Sequence, residues 1–372
     1  MPYYPAQSLI LGLTTIRRER RLPRGTYGEV VARLDQRVEA QDVVLRGSLP
    51  GTFHILDVLE PLGLRRPEDF VPDQMLQVPI GTVLEKGQVI AASGPGRGAR
   101  TLKAPEPAVL ALVDAGQVIL QLKPEPIEIH AMCPGTITSI RGDNSLLLET
   151  VGALLQCAWG NDKRAYSAYR MEPEGGIENV SSDGLLSNLR NSALIMTRQI
   201  GSAAVFAAAV ANEITAIMAP SMRADLRELA LRQKIPVLLT DGFGDLPISE
   251  VMYNLLRDNI GRPALIDATE PQRWSASRPE IVIPLPSGGG TPPPPEVDQP
   301  LAEGVLVRII RAPNSGLLGR VRRIVEMPRA VENGLRLPGA EVQLSNGRTV
   351  FVPQANLELL GRAVDAPGTG AV

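Results

Sequence analysis

Few residues of this 372-residue chain have the chemistry to move protons or hold a metal. His54 and His130 are its two histidines, and Cys133 and Cys157 its two cysteines. Imidazole has the ordinary pKa nearest neutral pH, so two histidines leave little room for histidine-based acid–base catalysis. His130 and Cys133 form an H-x-x-C pair, but a tetrahedral zinc site needs two further ligands, from Cys157, His54 or carboxylates elsewhere. As plain strand residues they need nothing more. Cys157 lies in the apolar stretch Leu154-Leu155-Gln156-Cys157-Ala158-Trp159, where a small buried residue is the default. The expectation is a protein with no catalytic residue, no metal and no enzymatic activity. Two cysteines also exclude a disulfide framework and fit a reducing compartment.

Charge is the second resource. A net charge of −2 creates no overall field for a polyanion, so any nucleic-acid role must rest on a local patch. One such patch exists: residues 301–362 hold nine arginines and five glutamates, a net of +4. Arg320, Arg322 and Arg323 follow a Gly-Leu-Leu-Gly turn together, with Arg311 just before it. Planar guanidinium groups suit bidentate contact with phosphate. The same charges on an edge strand would also block sheet-to-sheet aggregation. Phe351 is the one aromatic residue of this segment, so no platform for base stacking is present.

The elements that must position these groups divide the chain into four parts. Residues 25–160 carry short valine- and isoleucine-rich runs broken every 8–12 residues by glycine, proline or aspartate, the pattern of an all-β domain. Residues 185–270 change character. Apolar runs at 193–196, 214–218, 236–240 and 264–266 alternate with helical stretches at 203–212, 223–233 and 248–259, which predicts an open parallel sheet with helices on both faces. Residues 284–300, PLPSGGGTPPPPEVDQP, read as a linker, triglycine supplying flexibility and four prolines an extended stiff segment. After it, residues 301–362 return to short strands, with Asn346-Gly347 marking a hairpin.

In an open α/β sheet, ligands bind beyond the carboxyl ends of the strands. That rule selects Ser221 and Arg223 after one apolar run and Gly242 and Gly244 after the next as possible ligand-binding residues. Neither segment is G-x-G-x-x-G or a phosphate-binding loop, and Asp241 with Asp245 would repel a phosphate. Ser221 as a helix cap and the two glycines as turn residues account for them without a ligand.

Three resemblances follow from these motifs. VLEKGQVIA at 83–91 followed by KAPEPAVLALV at 103–113 resembles the barrel-sandwich hybrid fold of biotinyl and lipoyl carrier domains. A working carrier presents a lysine in a Met-Lys-Met or Asp-Lys-Ala turn. Lys103 precedes Ala104-Pro105 and Lys123 adjoins Pro124, so neither matches, and no cofactor is expected. The middle part resembles a small Rossmann-like domain by pattern. EGVLVRIIRAPNSGLLGRVRRI at 303–324 resembles the KOW motif of SH3-like barrels in transcription and ribosomal proteins, which implies contact with RNA or ribonucleoprotein.

The expected architecture is therefore multidomain: an all-β barrel-sandwich hybrid, then an α/β Rossmann-like parallel sheet, then a small SH3-like β-barrel. The expected role is a non-catalytic scaffold with a protein partner or self-association. The alternative is an RNA- or DNA-binding factor acting through the barrel, and an enzyme or small-ligand binder built on the Rossmann-like part comes third. No basic stretch precedes the apolar residues 9–13, and the alanine-rich run at 201–211 is far below the roughly 20 residues of a membrane span. A cytoplasmic protein without membrane contact is expected.

Overall fold

The computed structural model describes residues 3–94, 96, 98–179, 189–270, 277–286, 290–297 and 299–361. The chain is β-rich, and its largest element is a 16-stranded mixed sheet. The spine of that sheet is the strand Ala6–Arg21, whose register slips between Leu11 and Thr14. Along one edge it runs antiparallel to Ser145–Gln156, and its first residues pair in parallel with Leu357–Gly361 on the other. Its Leu9, Leu11 and Ile16 enter one core with Val44, Ile137 and Leu148 from the 25–160 region.

That region contains a second core. The strands Val43–Leu49 and Glu125–His130 pair antiparallel, with Leu49 opposite Glu125. The chain thus leaves and returns at one point, and the intervening residues bury Val58, Leu84, Ile90, Leu110 and Leu120 among themselves. Their main sheet has the order Phe53–Asp57, Gln117–Leu122, Ala108–Asp114, Val83–Leu84.

In the middle of the chain, Arg164–Met171, Ala193–Ile195, Ala216–Met222 and Val237–Phe243 pair in parallel in that order. Side chains alternate between two cores with the strand period of two. Leu194, Ile217, Val237 and Leu239 meet the helix Ala204–Ala211 on one face. Ala193, Ile195, Met218 and Leu238 meet Met252 and Leu256 of the helix Glu250–Asp258 on the other. Ser249 caps that helix by accepting from the Met252 amide. The fourth apolar run, 264–266, lies in the strand Pro263–Asp267, which joins antiparallel to Arg164–Met171, so the sheet is mixed rather than wholly parallel. A run of three apolar residues, Ala264 to Ile266, carries no strand direction, which is why the pattern alone pointed to a parallel sheet.

The last five strands, Leu306–Ile309, Leu318–Ala330, Arg336–Leu344, Thr349–Pro353 and Leu357–Gly361, are joined by antiparallel pairings. Gly347, at φ +82°, makes the turn between the third and fourth of them. The proline-rich segment ahead of these strands is tied to the spine. Thr14 Oγ1 donates to the Pro293 carbonyl at 2.8 Å and Thr15 Oγ1 to the Pro292 carbonyl at 2.5 Å. Prolines have no N–H to give, but their carbonyls accept, and here they satisfy two hydroxyls that the spine buries. Among the described residues no helix is long and apolar enough to cross a membrane.

Candidate functional site

Four residues at the carboxyl edge of the parallel strands were singled out by their position, and three of them build one clasp. Pro220 interrupts the register between Ala219 and Ser221, as expected of a residue with no ladder N–H to donate. Beyond it, buried Ser221 donates from Oγ to the Leu246 carbonyl at 2.9 Å and accepts from the Leu246 amide at 3.1 Å. Gly242 lies opposite Ser221, and both Gly242 (φ +99°) and Gly244 (φ +125°) occupy backbone conformations that favour glycine. Arg223 is exposed and paired with Asp225 at 2.7 Å. The clasp shapes the turn and leaves Asp241 at its base.

Asp241 is where the edge meets the last five strands. Arg308 reaches it from the strand Leu306–Ile309, with Nη1 2.5 Å from Asp241 Oδ1. The other two nitrogens of Arg308, Nε and Nη2, donate to Glu358 Oε2 at 2.9 and 2.5 Å. Glu358 Oε1 accepts from Ser8 Oγ at 2.6 Å and from Arg278 Nη1 at 3.2 Å. Three parts of the chain thus converge on one buried ion cluster, every member of which has a charged or hydrogen-bonding partner. Such a cluster is costly to desolvate and costly to break.

Burial pushes the Asp241 carboxyl above its usual range, against the pull of Arg308. Burial also opposes charge at Glu358, but Arg308, Ser8 and Arg278 together outweigh it and hold that carboxyl below its usual range. A cavity of about 950 Å³ opens beside the cluster, lined also by Cys157, Phe243, Ile310, Arg311 and Ser315. Cys157 is kept protonated by burial and by nearby Asp241. Both carboxylates accept from Arg308 and the thiol is neutral, so the arrangement binds and orients charge.

On the last five strands, Arg320, Arg322 and Arg323 are all exposed. A register slip between Val321 and Arg323 places two arginines in succession on the outer face. Arg322 Nε donates to Gln343 Oε1 at 2.7 Å, and Arg323 pairs with Glu341 at 2.8 Å. Arg329 shares that carboxylate at 3.0 Å and lies 5.4 Å from the centre of the Phe351 ring. Arg320 donates to the Gly304 carbonyl at 3.2 Å. Arg311 is not part of this face and borders the cavity instead.

The sequence reading missed one surface. In the four-stranded sheet, Ile55, Ile119 and Leu112 lie opposite one another across three strands, with Phe53, Val109 and Val83 beside them on the same outward face. The alternate residues Leu110, Val118 and Leu120 fill the core. Phe53 is 63% exposed and Val83 57%. Two-sided apolar strands such as AVLALVD and QVILQL were the available signal, since a half-solvated antiparallel strand should alternate with polar residues.

His130 Nδ1 contacts the Gln41 carbonyl at 2.8 Å, and His54 Nδ1 contacts Glu106 at 3.2 Å. Among the described residues no group of three histidine, cysteine or acidic side chains is placed to hold a metal ion. No family model matches the chain, and no curated protein matches it.

Proposed function

We propose that this chain is a non-catalytic assembly protein that engages a protein partner through the outward face of its four-stranded sheet. The observation that carries this reading is the apolar row Ile55, Ile119 and Leu112, extended by Phe53, Val109 and Val83, on a face that no other element covers among the described residues. Contiguous exposed apolar surface of this kind marks interaction sites. At one end of the face Asp57 and Asp114 flank Gln117 and are exposed. The occupant that fits is a protein with an apolar contact surface bordered by lysine or arginine. In this reading the sheet belongs to a barrel-sandwich hybrid without a carrier lysine, the middle part is a Rossmann-like body, and the last strands form an SH3-like barrel.

A second reading, contact with RNA or DNA through Arg320, Arg322 and Arg323, is favoured by their shared exposure. It is weakened by Glu341 and Gln343, which already engage two of them.

Quantitative affinity capture from native lysate separates the two. The baits are the wild-type chain, a Phe53→Asp/Leu112→Asp variant, and an Arg320→Gln/Arg322→Gln/Arg323→Gln variant, each with and without nuclease. A partner lost with the first variant, but retained with the second and after nuclease, supports the assembly reading. A partner lost only with the arginine variant and nuclease supports the second. Capture unchanged by either variant overturns both.

A further inference from the structure

We infer that the cavity between the Val237–Phe243 strand and the last five strands is a binding site for a small organic anion, a carboxylate or phosphate head on an apolar body. Its position is the one that α/β sheets use for ligands, beyond the carboxyl ends of parallel strands. Its charges argue for the head. Arg278, Arg308 and Arg311 line the cavity together with Asp241 and Glu358, an excess of one positive charge. Arg308 is consumed by the two carboxylates and by the Thr240 carbonyl. Among the described residues, Arg278 commits a single nitrogen, Nη1, to Ser8 and Glu358. Arg311 is exposed at the rim, with no side-chain partner among the described residues.

Cationic donors are therefore left over while the acceptors are spent, which is the requirement for an anion and the wrong arrangement for a cation. Asp241 and Glu358, the groups that would repel an anion, are already offset by two cations, Arg308 on both and Arg278 on Glu358. The walls argue for the body: Phe243, Leu246, Ile309 and Ile310 line the same cavity. A volume of about 950 Å³ accommodates a ligand of drug-like size with room for water. The site is independent of the apolar sheet face, so either proposal stands or falls alone.

The test is calorimetric titration of the full chain with phenyl phosphate, benzoate and inorganic phosphate at low salt and near neutral pH. Saturable binding of at least one aromatic anion is expected, with inorganic phosphate at least about tenfold weaker because it cannot use the apolar wall. Arg311→Gln should weaken the aromatic anion about tenfold through loss of one charge-assisted bond. Ser315→Glu, which brings a negative charge to the cavity wall, should abolish binding. Arg322→Gln on the outer face should leave it unchanged. Circular dichroism confirms that each variant is folded. The proposal is overturned if neither aromatic anion saturates below about 10 mM. It is equally overturned if inorganic phosphate binds as tightly as they do, or if Arg311→Gln and Ser315→Glu bind like the wild type.

Discussion

Arg308 and Glu358 are cross-strand neighbours, opposite one another in the antiparallel pair Leu306–Ile309 and Leu357–Gly361 and joined by two hydrogen bonds to one carboxylate oxygen. Opposite charges in this position stabilise a sheet modestly at the surface. Here both side chains are 7% exposed, and the pair also anchors Asp241 from the parallel sheet. A contact that would be local elsewhere thus links two parts of the fold.

The two carboxylates on Arg308 should respond differently to mutation. Arg308→Met leaves Asp241 and Glu358 buried without a cation and should cost about 3–5 kcal/mol in urea unfolding. Glu358→Gln should cost about 3 kcal/mol, since it unpairs Arg278 as well. Asp241→Asn should cost the least, because burial already disfavours the Asp241 charge. An equal loss for Glu358→Gln and Asp241→Asn would contradict this ranking.

Their pH dependence has opposite signs. The Glu358 pKa is depressed by folding, so its contribution is complete above its usual 4.5 and is lost as pH falls through the lower folded value. The Asp241 pKa is raised by folding, so its contribution is complete below its usual 3.8 and is lost as pH rises through the higher folded value. Stability measured from about pH 3 to 7 should therefore show a shallower acid loss in Glu358→Gln than in the wild type, and a steeper one in Asp241→Asn.

The proline segment offers a test by proteolysis. With Thr14 and Thr15 donating to Pro293 and Pro292, the segment at 290–297 should resist cleavage in the native chain. Thr14→Val/Thr15→Val removes both donors while keeping the side-chain shape, and cutting at this segment should then precede loss of the last five strands. Equal cleavage in both proteins would mean the carbonyl contacts do not restrain it.

Glu341 restrains the arginine face. Glu341→Gln releases Arg323 and Arg329, and if phosphate contact is then possible, the slope of log affinity against log salt for single-stranded RNA should steepen by about 1.4, two contacts at roughly 0.7 each. An unchanged slope, measured by fluorescence anisotropy, would remove the nucleic-acid reading.

The nested core predicts a deletion. Because Leu49 lies opposite Glu125, replacing residues 50–124 by Asn-Gly, which favours the tight hairpin turn, should leave the remaining cores folded and cooperative. Loss of cooperative unfolding would show that the excursion supports the rest.

How much of this was legible in the residues depended on range. The alternation of apolar runs and helical stretches at 193–266 is local, and it located the strands and helices of that region, although not the direction of Pro263–Asp267. Asn346-Gly347 is more local still and marked its turn. The ion cluster was not legible, because Arg308 lies 67 residues from Asp241 and 50 from Glu358, and each alone reads as an ordinary surface charge. Asp241 was recognised only as a group that would repel phosphate; its neutralisation by Arg308 is a property of the fold. Ser221, Gly242 and Gly244 lie at the strand edge, where the hydrogen bonds of Ser221 shape a turn, and those bonds to Leu246 have no local sequence signal.

The parallel pairing of the spine with Leu357–Gly361 has a consequence for biosynthesis. Ser8 and Glu358 are 350 residues apart, and at 5–20 residues per second a ribosome separates them by about 20–70 s. For that interval the start of the spine has one edge without its partner, and an unpaired strand edge is a template for intermolecular pairing. The spine alternates differently along its length: Leu9 lies in the portion that waits for Leu357–Gly361, whereas Leu11, the arginines and Glu19 lie in the part paired with Ser145–Gln156. The nascent chain is thus most vulnerable to aggregation at residues 6–9, and a chaperone that shields apolar strands would act there until translation passes residue 361.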